Sequence, residues 1–143
     1  MEIRKFKYED IESVFNLAKK YLRESYTFEL FLYLWQISPD GFLVAEKNGK
    51  IIGFIVAVKT SKDSLRILML AVDENYRKKG VGSRLLKKII LNFSDVRRIY
   101  LETRTDNIEA IEFYKKNGFK IVEKVKDFYT DGGEAYIMEK IIF

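Results

Sequence analysis

An apolar run over residues 65–72 stops at Asp73, passes through Arg77-Lys78-Lys79-Gly80-Val81-Gly82, and resumes at helical spacing over residues 81–93. This order of strand, glycine-bearing loop and helix constrains the fold more than any other part of the chain. It sets a strand-to-helix unit near the middle of the sequence and puts two glycines at the turn. Glycine lets the backbone approach an anion, and the first N–H groups of a helix point at that anion with the helix dipole behind them. The segment is therefore suited to holding a phosphate. It is not a P-loop, because Ser83-Arg84 follow Gly82 where that motif needs Lys and Ser or Thr. It is not a dinucleotide fingerprint either, since the third glycine would fall at Leu85. A plain strand-to-helix turn uses the same residues, so the other segments must decide.

The chain has 143 residues, of which 48% are apolar, enough for one domain, 1–143, with a genuine core. No apolar stretch approaches the ~18 residues of a membrane span. Residues 1–5 open a strand-like segment without the apolar core of a signal peptide. A cytoplasmic protein with no membrane partner is expected. The sequence contains no cysteine and no histidine. Thiolate catalysis, Cys or His metal sites and imidazole bases are thereby excluded, and no metal is expected. Acid–base chemistry falls to Asp, Glu, Lys, Tyr or water. The net charge is +5, with 26 basic residues spread over most of the chain, so a nucleic-acid partner is not expected. One local excess, Arg77, Lys78, Lys79, Arg84, Lys87 and Lys88, surrounds the glycine loop and suits a polyphosphate.

Along the chain, residues 2–6 read as a strand. Ile11, Val14, Phe15, Ala18, Tyr21 and Leu22 form one helical face, and residues 28–36 a second, aromatic-rich helix. Strands at 42–46 and 51–60 flank Asn48-Gly49, a hairpin signal. After the strand at 65–72 and the helix at 81–93 come a strand at 98–105, a helix at 108–117 capped by Gly118, and strands at 119–128 and 135–142. No linker, repeat or low-complexity tract interrupts this order, which predicts a mixed α/β domain.

Three motifs now stand together. They are Arg77-x-x-Gly80-x-Gly82; Asn107-x-x-Ala110-x-x-x-Tyr114 followed by Asn117-Gly118-Phe119; and Tyr129 with Gly132-Gly133-Glu134-Ala135 and Met138. The first two resemble the GCN5-related N-acetyltransferases (GNAT), which hold acetyl-coenzyme A. The third is similar to their RimI-like branch, which acetylates protein N-terminal α-amino groups. The resemblance covers essentially the whole chain. It implies a single-domain α/β GNAT fold: a central mixed, mostly antiparallel twisted sheet of about seven strands, flanked by four helices and splayed between the fourth and fifth strands.

The resemblance also implies roles. The backbone of Leu70, Ala71 and Val72 would run beside the pantetheine arm, with an N–H near Leu70 polarising the thioester carbonyl. Arg77, Lys78, Lys79, Gly80, Val81, Gly82 and Ser83 would cradle the pyrophosphate. Asn107 would contact the cofactor, although a helix N-cap explains it equally well. Tyr114 would contact the cofactor and act as general acid, since a phenol near 10 suits a thiol near 8.5; by residue type alone it is a buried aromatic beside Phe113. Glu102 would be the general base, though alone it reads as an outward-facing strand residue. Tyr26, Phe28, Phe31, Tyr129 and Tyr136 would line the acceptor groove. Here the chain departs from the branch, because Glu24-Ser25-Tyr26-Thr27-Phe28 lacks the Pro-aromatic pair often found after the first helix.

The implied activity is direct attack of an amine on acetyl-coenzyme A in a ternary complex, since no cysteine exists to carry the acetyl group. An α-amine with a pKa of about 8 is neutral in roughly a tenth of molecules near pH 7, whereas a lysine near 10.4 costs about 3 kcal/mol more to deprotonate. A site with one carboxylate therefore suits a protein or peptide N-terminus as acceptor. Two alternatives stay open: acetylation of a small amine such as a polyamine or amino acid, and a non-catalytic acetyl-coenzyme A-binding module. A monomer or homodimer is expected.

Overall fold

The computed structural model describes residues 1–142; Phe143, the last residue of the expected 1–143 domain, lies outside the described residues. The elements in order are β1 (Glu2–Lys5), α1 (Ile11–Tyr21), α2 (Phe28–Ile37), β2 (Phe42–Lys47), β3 (Lys50–Lys59), β4 (Ser64–Val72), α3 (Val81–Asn92), β5 (Arg98–Arg104), α4 (Ile108–Lys116), β6 (Lys120–Val125) and β7 (Ala135–Ile141). Short 3₁₀ turns at Tyr8–Asp10, Pro39–Gly41 and Glu74–Tyr76 link some of them. The seven strands follow the order β1-β2-β3-β4-β5-β7-β6. β1–β2, β2–β3, β5–β7 and β6–β7 are antiparallel. The parallel β4–β5 ladder joins Ser64, Leu65 and Arg66 to Arg98, Ile99 and Tyr100, three residues of the nine in β4. The expected strand at 119–128 ends early, at Val125, because Asp127 takes a positive φ of 52° and turns the chain. Among the described residues no helix is long and apolar enough to cross a membrane.

The described residues divide into two compact units, 1–58 with 67–94 and 59–66 with 95–142. In the first unit β2 and β3 are almost wholly buried, which is why they read as unbroken apolar runs rather than alternating ones. One face of this part of the sheet carries Phe42, Val44, Phe54 and Val56, packed with Val14, Leu17 and Ala18 of α1 and Phe31 and Leu34 of α2. On the other face Ala45 pairs with Gly53, and a Cβ on Gly53 would meet Leu85 of α3 at 3.4 Å. Two small residues thus make room for that helix. Phe6 stacks on Phe42 with ring centres 4.1 Å apart, closing the end of the core. In the second unit β5 alternates strictly, with Ile99, Leu101 and Thr103 buried. Leu101 faces Met138 across the β5–β7 pair, and both are buried.

The entry of the chain is fixed by an ion network. Arg4 donates to both carboxylate oxygens of the buried Asp10 (2.8 and 2.9 Å) and to Glu46 (2.7 Å), while Lys7 N–H also donates to Asp10 (2.9 Å). Burial alone would push the Asp10 carboxyl up, but the Arg4 hydrogen bonds, the Lys7 N–H and the Arg4 charge together hold it below the ordinary carboxylate range. Its folded value is lower than the unfolded one, so its stabilisation is complete above the unfolded value near 3.9 and is lost as pH falls through the folded value. Asp10→Ala should cost about 2 kcal/mol at pH 7. Thermal melts of the two proteins should differ by ~4–8 °C at pH 7 and converge as the pH is lowered below about 4.

Candidate functional site

The glycine loop is held in place by its neighbours in the first unit. β4 ends in Val72, whose carbonyl accepts from Arg77 Nε at 3.0 Å. The Arg77 guanidinium lies over the Tyr21 ring at 4.7 Å, and the Tyr21 hydroxyl accepts from Glu74 N–H at 3.1 Å. α1 therefore anchors the loop twice through one side chain. Asp73 accepts from Asn75 N–H at 2.9 Å, and this hydrogen bond, ahead of nearby Lys50, holds its carboxyl below the usual range. Lys78 and Gly80 both take positive φ, 60° and 83°, and Gly80 is the residue that caps the start of α3. Nothing lies within 4 Å of where a Gly80 Cβ would stand, so the left-handed backbone, not crowding by protein, requires glycine there. Gly82 sits in the first turn of α3 without positive φ. Lys47, Lys50 and Lys79 place their ammonium groups 5.7, 5.8 and 5.8 Å from the Tyr76 ring centre. The basic cluster seen in the sequence thus extends to the β2–β3 turn. Leu70 and Val72 are half-buried on β4, and Ala71 is buried in the core.

The second unit holds the residues expected to do chemistry. Alternation places Arg98, Tyr100, Glu102 and Arg104 on one face of β5, and Ile99, Leu101 and Thr103 on the other. Lys140 is paired with Ile99 and donates to the Asn117 carbonyl at the end of α4 (2.9 Å), so α4 lies on the Leu101 face. Tyr114, on the inner side of α4, is buried between Phe113 and Phe119, with ring centres 5.1 and 5.3 Å away. Glu102 and Tyr114 consequently stand on opposite faces of the sheet. Burial pushes the Tyr114 phenol well above its ordinary value. The ordinary phenol that the sequence suggests is thus replaced by one that stays protonated at any working pH. Glu102 Oε1 accepts from Arg66 Nε at 3.0 Å and pairs with Nη2 at 2.9 Å. Asn107 caps α4, its side chain accepting from Ala110 N–H at 3.2 Å.

The loop between β6 and β7 is built onto β5. The Arg104 guanidinium lies over the Tyr129 ring at 4.0 Å and donates to Asp131 at 3.1 Å. Asp131 also accepts from Gly133 N–H at 2.9 Å. A Cβ on Gly133 would collide with Arg104 Nη1, so any larger residue here would have to displace the guanidinium. Tyr129 thereby sits on the Glu102 side of β5.

Two acceptor candidates sit differently from the rest. Phe31 is fully buried in the core, beside Phe42, Phe54 and Tyr26. Tyr136 pairs with Thr103 and therefore stands on the α4 face, away from Glu102. Tyr26 is half-buried, and burial, with the charge of Glu24, pushes its phenol up. Phe28 is exposed at the start of α2, edge-on to Phe15 at 4.5 Å. Sequence reasoning also missed three residues. Tyr21 is legible only as a core residue, and the roles of Arg66 and Arg104 depend on partners 36 and 27 positions away.

The sequence profile of the acetyltransferase (GNAT) family matches residues 11–119. The chain belongs to the GNAT family. This GNAT acetyltransferase is 43% identical to Ard1 from Thermoplasma volcanium, whose crystal structure superposes with a TM-score of 0.95 over 99% of this chain and 97% of that one. It is 30% identical to an N-alpha-acetyltransferase of Sulfurisphaera tokodaii, over 95% of this chain and 90% of the relative. It is 27% identical to Naa20 of Chaetomium thermophilum, solved in complex with a bisubstrate analogue, with a TM-score of 0.92 over 99% of this chain and 87% of that one.

Gly133→Ala should displace Arg104 and release the loop between β6 and β7. Amide exchange at Phe128, Tyr129 and Gly132, whose N–H groups are bonded within the loop, should accelerate while exchange in β5 stays slow. Unchanged exchange in the loop would show that Arg104 does not hold it.

Proposed function

We propose that this acetyltransferase transfers the acetyl group of acetyl-coenzyme A to the α-amino group of a protein N-terminus, by direct attack in a ternary complex. The observation that carries the mechanism is the placement of Glu102 and Tyr114 on opposite faces of β5. Amide formation needs a proton acceptor where the amine enters and a hydrogen-bond donor where the thiolate leaves, on opposite sides of the carbonyl. The names of the relatives support the acceptor class, as does a carboxylate as base in a chain without histidine.

The glycine loop fits the pyrophosphate of coenzyme A. Its left-handed Gly80 is open on its Cβ side, the N–H groups from Lys79 to Ser83 lie at the start of α3, and lysines surround them. Arg77, folded back on Val72 and Tyr21, serves in this scheme as a brace of the loop. Leu70, Ala71 and Val72 supply backbone to the pantetheine arm. Asn107 combines its cap with a contact to the cofactor through its amide nitrogen. Glu102 takes the amine proton through Oε2 as the nitrogen attacks. Tyr114, kept protonated by burial, donates a hydrogen bond to the departing sulfur. Complete transfer of its proton to a thiolate is uphill, so its contribution is stabilisation of the developing charge. Tyr129, Tyr26 and Phe28 remain the residues assigned to acceptor contacts.

The test is thiol release from acetyl-coenzyme A with peptides carrying free or blocked α-amines, set against polyamines and lysine-bearing peptides. Turnover should require a free peptide α-amine. Turnover confined to small amines would overturn the acceptor assignment. Tyr114→Phe should lower kcat about tenfold or more with little change in coenzyme A affinity, and unchanged kcat would remove Tyr114 from the mechanism.

A further inference from the structure

We propose that Arg66 is a positioning residue for Glu102, fixing which carboxylate oxygen receives the amine proton; this rests on Glu102 being the base. Arg66 lies on β4, opposite Tyr100 in the parallel ladder, and so shares the face of Glu102 two residues further along β5. Its Nε donates to Oε1 at 3.0 Å, and Nη2 lies 2.9 Å from the same oxygen. A fork-to-fork pair would engage both oxygens of the carboxylate. Here the hydrogen bond and the closer ion contact both fall on Oε1, which holds the carboxylate by that oxygen and leaves Oε2 without a bond to the guanidinium. Arginine stays charged and has no acceptor, so it orients the base without competing for the proton.

The other polar groups around Glu102 are engaged elsewhere. On β5, Tyr100 donates its hydroxyl to Thr60 at 3.0 Å, and Arg104 is bonded to Asp131 and stacked on Tyr129. On β7, Glu139 accepts from Arg98 at 2.6 Å, and the residue directly opposite Glu102 is the apolar Ile137. Among the described residues Arg66 is therefore the cation bonded to the base. The Glu102 side chain is only 13% exposed, against 36% for Arg66. An ordinary cross-strand ion pair at a sheet surface contributes little to stability and nothing to turnover. The pair differs from that case because its inner partner is the residue assigned to the chemistry.

The experiment is a double-mutant cycle on kcat with the best peptide acceptor, using Arg66→Met, Arg66→Lys, Glu102→Gln and Arg66→Met/Glu102→Gln, each first checked by thermal melt for folding. Arg66→Met should lower kcat about tenfold with an unchanged KM for acetyl-coenzyme A. The loss should appear in kcat and not in binding of the cofactor, because the carboxylate is still present but no longer held in one orientation. Arg66→Lys, which keeps a charge and one donor, should recover part of the rate and provides the readout if the methionine variant fails to fold. In the Glu102→Gln background, Arg66→Met should cause no further loss. Wild-type kcat in both Arg66 variants would overturn the proposal, as would losses that multiply in the double variant. If Glu102→Gln itself kept full turnover, the base assignment would fall, and this proposal with it. A normal Arg66→Met beside an inactive Glu102→Gln would overturn the proposal alone.

Discussion

The two-residue alternation of β5 is the constraint from which the placement of Glu102 and Tyr114 follows. Because Ile99, Leu101 and Thr103 must face the buried side, Glu102 and Arg104 are forced to the other. α4 then docks on the buried face, tied by Lys140 to the carbonyl of Asn117 and closed by Gly118 in its left-handed conformation. That docking buries Tyr114 and raises its phenol. A one-residue slip in the β5–β7 register would exchange the faces and put a carboxylate in the core. The hydrophobic pattern that stabilises the second unit is thus the same pattern that separates Glu102 from Tyr114.

The first unit solves a different problem, which is to hold an irregular loop rigid while leaving its backbone accessible. Glycine gives the loop its conformation at Gly80, but glycine also makes it floppy. Tyr21 compensates by bonding Glu74 N–H through its hydroxyl and stacking under Arg77 with its ring. The cost of ordering is met by one aromatic residue on a helix already packed into the core. The loop between β6 and β7 follows the same logic, with Arg104 bridging Tyr129 and Asp131 over a glycine that leaves it room.

Local patterns made most of the fold legible. The order of strands and helices, the Gly118 stop and the Asn107 cap each depend on residues within a few positions, and the structure shows them where the sequence puts them. The family motifs carried the recognition in the same way. What is not legible depends on register and on packing at long range. Phe31 has the composition of a groove residue and the position of a core one, since α2 turns it onto Phe42 and Phe54. Tyr136 takes the α4 face because its place is set by its pairing with Thr103, 33 positions earlier in the chain. The partnership of Arg66 with Glu102 requires the parallel ladder, which no short-range signal announces. The phenol of Tyr114 is displaced by burial, a property of the folded helix rather than of the motif.

The most direct measurement is a crystal structure with a conjugate in which a peptide α-nitrogen is joined through an acetyl bridge to the sulfur of coenzyme A. The peptide nitrogen should lie within ~3 Å of Glu102 Oε2, directly or through one water, and the sulfur within ~3.5 Å of the Tyr114 hydroxyl. A conjugate bound with its peptide on the Tyr114 side, or with Glu102 remote from the nitrogen, would contradict it.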